Sequence, residues 1–126
     1  MATINPTRSD VSEKRNGSAI VVTWTNVTEA DTCTAINMPE FADKSIQVAG
    51  TFGGTSVAIQ GSNDGSNFSA LRDPTSTVIA ITTAAGGAGL KAVLENTWQI
   101  KPVLTGGTSV SLTITVLCRL AQPLRT

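Results

Sequence analysis

The stretch that decides the fold class is SIQVAGTFGGTSVAIQGSNDGSNF, residues 45–68. Apolar and polar residues alternate on both sides of Gly53-Gly54, as in two strands that each bury one face. A glycine pair can adopt the two positive φ angles of a two-residue turn, so the segment predicts a β-hairpin. One face of this hairpin would carry Ile46, Val48, Phe52, Val57 and Ile59, and the other Gln47, Ala49, Thr51, Ser56, Ala58 and Gln60.

A second hairpin is predicted from Trp98 to Leu120, where apolar residues again alternate on both sides of a glycine pair. Placing both apolar sets on one face requires Leu104 to lie opposite Val110, with residues 105–109 as the loop. The sequence Gly-Gly-Thr-Ser-Val occurs both here and in the first hairpin. The register nevertheless predicts different turns for the two copies.

Shorter alternations predict the remaining strands. Ile20, Val22 and Trp24 share one face of a strand over 19–25. Leu90–Asn96 fits either a strand or one helical turn, and the strand is favoured. Further short strands are predicted at 32–37, 68–71 and 77–82. With turn signals between them, these segments predict an all-β fold, an antiparallel β-sandwich or barrel of about seven or eight short strands.

The two termini differ from this β domain, which covers residues 18–120. Residues 1–17 are mostly polar or charged and show little apolar periodicity. They predict an extended N-terminal arm, not a strand of the core, that becomes ordered only against a neighbour. Residues 121–126 form a short C-terminal tail of the same character.

Composition argues against several classes of function. Charged residues make up 14% of the chain, the formal net charge is zero and no basic cluster stands out. Nucleic acid and anionic membranes are therefore not expected as partners. No apolar run approaches membrane-spanning length, and the N-terminus lacks the apolar region of a secretory signal. The protein is expected to be made in a cytoplasm.

The sequence predicts no catalytic, cofactor-binding or metal-binding residues. It contains no histidine, which removes the usual general base and the commonest metal ligand. The segment 63–67 resembles part of a calcium loop but lacks the closing glutamate, so it predicts a turn. The glycine-rich segment 84–89 is not followed by Lys-Ser/Thr, which leaves a flexible loop. We therefore predict that the protein is not an enzyme.

The cysteines and tryptophans are assigned to the core. Cys33 and Cys118 are too far apart in the sequence for a metal pair or redox motif, and they predict two buried free thiols. A disulfide is the alternative if the protein later meets an oxidising medium. Trp24 and Trp98 belong to apolar strand faces, with an exposed, sugar-stacking tryptophan as the alternative.

Two longer stretches resemble small β-rich structural proteins of tailed bacteriophages. They are GTFGGTSVAIQGSNDGSNFSALRDP, residues 50–74, and AAGGAGLKAVLENTWQIKPVLTGG, residues 84–107. The shared pattern consists of the V-x-G-x-F-G-G segment, the Q-G-S-N-D-G turn and the late I-x-P-x-x-x-G-G segment. Phe68 stands where tryptophan is common in that pattern. The GSNDG element is also similar to turns of discoidin-like and other carbohydrate-binding sandwiches.

This resemblance implies a component of the virion. The first expectation is a capsid decoration or cement protein, a homotrimer on the phage head whose termini reach across subunit boundaries. Its partners would be the major capsid protein or other virion proteins. The alternative is a carbohydrate-binding or adhesin module, or another tail or neck accessory subunit.

Overall fold

The computed structural model describes residues 2–120 of the chain. Within this range two antiparallel sheets pack as a sandwich, which confirms the predicted fold class. The structure has eleven strands here, so the predicted number is too low. They are β1 (Thr3–Ile4), β2 (Thr7–Asp10), β3 (Ala19–Val27), β4 (Thr32–Cys33), β5 (Ile36–Asn37), β6 (Asp43–Thr51), β7 (Ser56–Ser62), β8 (Ser69–Ala70), β9 (Leu90–Val93), β10 (Gln99–Thr105) and β11 (Ser111–Arg119).

The larger sheet has five strands in the order β2-β3-β11-β6-β9, and the smaller has four in the order β5-β10-β7-β8. The short strands β1 and β4 form a separate parallel pair. Alternate residues of both large sheets point into one core, as period-two alternation requires. The largest fully buried side chains are Trp24, Ile36, Ile46, Ile59, Ile79, Ile81, Ile100, Leu112, Ile114, Val22, Val27 and Val48.

The first predicted hairpin is wrong in its pairing and right in its turn. Gly53 and Gly54 have φ angles of 57° and 86°, and the Thr55 N–H donates to the Phe52 carbonyl (3.0 Å). However, β6 pairs with β11 and β9, whereas β7 pairs with β10 and β8. The turn therefore carries the chain from one sheet to the other.

The predicted sorting of side chains holds except at Phe52. The core-facing residues Ile46, Val48, Val57 and Ile59 are buried, whereas Phe52 is only partly buried at the margin of the core. Alternation identifies the face that each strand buries but not its partner. In a sandwich, strands of opposite sheets bury their faces against the same core.

The second predicted hairpin is wrong for the same reason. Strand β10 pairs with β5 and β7, while β11 pairs with β3 and β6, so Leu104 does not lie opposite Val110. The segment between β10 and β11 is a second crossing between the sheets. It lies against the first crossing, where the Thr108 N–H donates to the Gly53 carbonyl (2.9 Å). The two Gly-Gly-Thr-Ser-Val copies are thus neighbours in space.

The expectation of an arm without core strands is also wrong. Strand β2 is the edge strand of the five-stranded sheet, and β1 pairs with β4. The turn after β2 is fixed by the Asp10 carboxylate, which accepts hydrogen bonds from Ser12 N–H (2.9 Å), Ser12 Oγ (2.7 Å) and Gly17 N–H (3.0 Å). Polar contacts of this kind leave no apolar periodicity in the sequence. The predicted tail, residues 121–126, lies outside the described residues.

Three further predictions have mixed outcomes. Leu90–Val93 is a strand, as favoured. The predicted strand 32–37 is divided into β4 and β5. Residues 77–82 form no regular strand and make only isolated bridges, Arg72 with Val78 and Val57 with Ile81. Ile79 and Ile81 are nevertheless buried, so this segment closes the core between the two sheets.

Candidate interaction surfaces

The five-stranded sheet presents a broad face to solvent. Strand register places Thr7, Thr23, Thr115, Gln47 and Leu90 side by side in one row across the sheet. We define the outer face as the uncharged side chains of these strands that point away from the core: Thr7, Ser9, Val21, Thr23, Ser45, Gln47, Ala49, Thr51, Leu90, Ala92, Ser111, Thr113, Thr115 and Leu117. Asp43 and Arg119 also point outward, at one end of this face.

The charged residues of these strands lie elsewhere. Register pairs Arg8 with Val22, Lys91 with Ile46 and Lys44 with Cys118, all core positions, so these cations are on the inner side of the sheet. At one end of the outer face Arg119 Nη2 contacts Asp43 Oδ2 at 3.2 Å. A solvent-facing sheet surface normally mixes charges of both signs, so the outer face is unusual in having charges only at one end.

Lys44 is one of these cations, and it is removed from solvent. Its side chain is buried, and the ammonium donates to the Phe41 carbonyl and to Asn96 Oδ1. Asn96 in turn donates from Nδ2 to the Pro39 carbonyl (2.9 Å). Burial lowers the pKa of Lys44 from its ordinary value. The hydrogen bonds compensate for lost water, which lets a cation lie beneath the sheet.

A groove lined by both apolar and charged side chains continues the outer face at the β9 edge. Three of the large exposed apolar side chains of the molecule, Val78, Leu90 and Leu94, lie at this edge. The Leu94 N–H donates to the Arg72 carbonyl (2.7 Å), and Arg72 bridges to Val78. A concavity of about 350 Å³ opens here, and its lining includes Ala92, Leu94 and Leu117 together with the charged residues Asp43, Lys44 and Arg119.

The segment Asn63–Asn67 is a tight polar turn, as predicted. The Asp64 carboxylate accepts hydrogen bonds from the backbone N–H groups of Ser66 and Asn67, both at 2.8 Å. It also accepts from the Asn67 side-chain amide (2.7 Å) and from Ser62 Oγ (2.8 Å). Hydrogen bonds from Asn67, followed by those from Ser66 and Ser62, hold the pKa of Asp64 far below its ordinary value.

The core assignment is right for Trp24 and wrong for Trp98. Trp24 is fully buried, and its Nε1–H donates to the Thr34 carbonyl (3.0 Å). Trp98 is 39% exposed and its ring lies against Gly65, while its backbone N–H donates to Asn63 Oδ1 (2.9 Å). β10 begins at Gln99, so Trp98 lies just before the strand whose alternation predicted its burial.

A polar groove lies on the other side of this turn. It has a volume of about 340 Å³, and its lining includes Asn63, Asn67, Arg72, Glu95 and Thr97. Glu95 accepts from Arg72 twice, from Nε (2.6 Å) and from the backbone N–H (2.8 Å). These hydrogen bonds lower the pKa of Glu95 and keep it ionised. The groove and the exposed Trp98 flank the same loop.

Both cysteines are buried and unpaired in the structure. Burial raises the pKa of Cys33 and of Cys118 to about 11. A thiol of this pKa is almost fully protonated near neutral pH, and only the thiolate is a good nucleophile.

We therefore expect a thiol reagent at about pH 8 to label the native protein slowly, because both sulfurs are buried and protonated. After denaturation without reductant, the same reagent should find two reactive thiols. Absorbance of the released chromophore measures both. Finding fewer than two in the unfolded chain would indicate a disulfide.

Among residues 2–120 no three His, Cys, Asp or Glu side chains are grouped so that they could hold a metal ion. No helix in the same range is long and apolar enough to cross a membrane. The outer face was not identified from the sequence. A signal was present, because residues 113, 115 and 117 alternate with core positions and carry no charge.

Comparison of the sequence with models of protein families and with curated proteins found no match.

Proposed function

We propose that the protein is a structural subunit of a phage virion, a capsid decoration or cement protein that is made in the host cytoplasm. The resemblance of residues 50–74 and 84–107 to small β-rich phage proteins suggests the setting. The observation that carries the proposal is the uncharged outer face. Such a subunit acts by covering and bridging surfaces of other subunits, and a five-stranded face of small uncharged side chains is suited to that task.

The chemistry of the outer face favours a protein partner. Burying a charge against a partner is costly unless the charge is paired, whereas small apolar and hydroxyl side chains are buried at little cost. The sheet offers threonines, serines and alanines at regular spacing, and the β9 edge adds the exposed side chains of Leu90 and Leu94. Major capsid protein and further copies of this chain are the partners we propose.

The N-terminal segment no longer supports contacts between subunits. The expected homotrimer, with termini reaching across subunit boundaries, required residues 1–17 to become ordered only against a neighbouring subunit. In the structure β2 pairs with β3 of the same chain. We therefore assign the contact to the outer face.

Quantitative mass spectrometry of virions purified from the phage that encodes this chain tests the proposal. A copy number comparable to that of the shell subunit supports decoration of the head. A handful of copies per particle indicates a tail or neck subunit instead. Absence of the chain from purified particles overturns the proposal.

The surface assignment has its own test, the rebinding of purified protein to particles stripped of it. Thr115→Lys adds a charge at the centre of the outer face and is expected to lower occupancy. The matched control is Thr105→Lys, an exposed strand threonine of the other sheet, which should leave occupancy unchanged. Equal occupancy for both variants would contradict the assignment.

A carbohydrate-binding module is the second candidate, because Trp98 is exposed beside a polar groove. Aromatic faces stack on apolar faces of sugars, and amide and guanidinium groups orient the hydroxyls. Binding to a glycan array that Trp98→Ala abolishes would favour this candidate. Absence of glycan binding by the unaltered protein would rule it out for the sugars on the array.

A further inference from the structure

We propose that the outer face binds the outer face of a second copy of this chain, in a two-fold, face-to-face sheet contact. The proposal rests on the proposed function in one respect, since it names a partner for the same surface. It is argued here from four properties of that surface: its charge, its hydrogen-bonding groups, its geometry and its area.

Charge is the first argument. In a two-fold contact the groups at and near the axis face their own copies, so a charge placed there would oppose a like charge. The outer face has no charge near Thr115: Asp43 and Arg119 lie at one end, and Arg8, Lys44 and Lys91 lie on the inner side of the sheet. The formal net charge of the whole chain is also zero, so no long-range repulsion keeps copies apart. A strongly charged partner, by contrast, would have its charges buried without counter-charges.

The hydrogen-bonding groups are self-complementary. A hydroxyl both donates and accepts, and so does the side-chain amide of glutamine. The central row of the face consists of Thr7, Thr23, Thr115, Gln47 and Leu90. When two such rows face each other, each side chain can donate a hydrogen bond to the other copy or accept one from it. A surface made only of donors or only of acceptors could not form hydrogen bonds with its own copy.

The position of the one ion pair fits a two-fold axis. Arg119 and Asp43 lie opposite each other at one end of the face. β11 is the central strand of the sheet, and Thr115 is its middle residue. Thr115 therefore lies near the middle of the face. A two-fold axis near Thr115 carries the ion pair of the second copy to the opposite end. The charged groups of both copies then remain at the rim, in water.

Area sets the strength of the contact. Five strands at about 4.8 Å, with about seven residues each on average at about 3.3 Å, give a footprint near 24 by 23 Å, or about 550 Å² for each copy. The total of about 1,100 Å² is below the roughly 1,600 Å² of a standard interface. The isolated dimer should therefore be weak, with a dissociation constant in the micromolar range or above.

Sedimentation equilibrium of the full chain over a wide concentration range tests the contact. We expect a reversible monomer–dimer equilibrium. Thr115→Lys should weaken it at least about tenfold, because two like charges would be buried opposite each other. Thr105→Lys, on the other sheet, should not change it. Gln47→Lys, an exposed position of the same row, serves as the second variant if Thr115→Lys lowers the melting temperature.

Charge complementation gives the sharper result. Thr115→Lys and Thr115→Glu should each be monomeric alone and should associate when mixed, because the two-fold axis brings position 115 of both copies together. A chain that stays monomeric at every concentration overturns the contact, and so does a dimer or trimer that Thr115→Lys leaves intact. If the chain is monomeric but still occupies virions, only this contact fails. If it dimerises but is absent from virions, the proposed function fails and the contact stands.

Discussion

Gly53→Ala is expected to lower the free energy of unfolding by roughly 2–5 kcal/mol, the sum of a left-handed backbone penalty and of overpacking. Gly53 has a φ of 57°, and a methyl group built there would overlap the Thr108 carbonyl oxygen. The Gly53 carbonyl also accepts a hydrogen bond from the Thr108 N–H. Relief of the clash would therefore separate the two crossings between the sheets. Urea denaturation followed by tryptophan fluorescence measures the change.

The neighbouring glycine is the matched control. Gly54 has a φ of 86°, but a methyl group built there meets nothing within 4 Å. Gly54→Ala should therefore cost only the backbone penalty, about 1–2 kcal/mol. Equal losses in the two variants would show that backbone strain alone acts at Gly53 and that the crossings are not tightly packed against each other.

The sequence was sufficient to predict most of the buried strand residues, with Phe52 and Trp98 as exceptions, and insufficient to predict which strands pair. Val48 and Ile59 were expected on one face, and both are in the core. Their strands belong to different sheets, because a glycine pair with positive φ angles turns a hairpin or a crossing equally well. The deciding information is the partner strand, β11 for Val48 and β10 for Ile59. Those partners lie far along the chain, where local periodicity carries no signal.

Two other parts of the fold, β2 and residues 77–82, were not predicted correctly from apolar alternation. Strand β2 is held by a turn around Asp10 and by pairing with β3, neither of which requires apolar alternation. Residues 77–82 do alternate, but only Ile79 and Ile81 enter the core and the backbone makes isolated bridges. Alternation thus predicted a regular strand where the backbone makes only a few hydrogen bonds, among them those to Val57 of β7 and to Leu71.

The outer face could be predicted only in part. The absence of charge at positions 113, 115 and 117 is visible in the sequence. That Arg8 and Lys91 point inward depends on their register against Val22 and Ile46, and this register appears only in the structure. A face defined by five strands from four separate parts of the chain has no local signature.

Trp24→Ala is expected to lower the free energy of unfolding by roughly 3–5 kcal/mol, the range for removing a large aromatic side chain from a packed core. Trp24 is fully buried, and its loss also leaves the Thr34 carbonyl without its donor. Because Thr34 lies between β4 and β5, the variant should loosen the attachment of that segment to β3. Chemical denaturation followed by circular dichroism measures the stability, and hydrogen exchange at residues 32–37 measures the local effect.

Trp98→Ala is the comparison that makes this prediction specific, since the sequence assigned both tryptophans to the core. Trp98 is 39% exposed and contacts the turn at Gly65. Its removal forfeits less buried apolar area, and we expect a loss below about 2 kcal/mol. The ratio of the two losses is the decisive quantity. If Trp98→Ala destabilises the protein as much as Trp24→Ala does, the turn at 63–67 is part of the core and the exposed position of Trp98 is wrong.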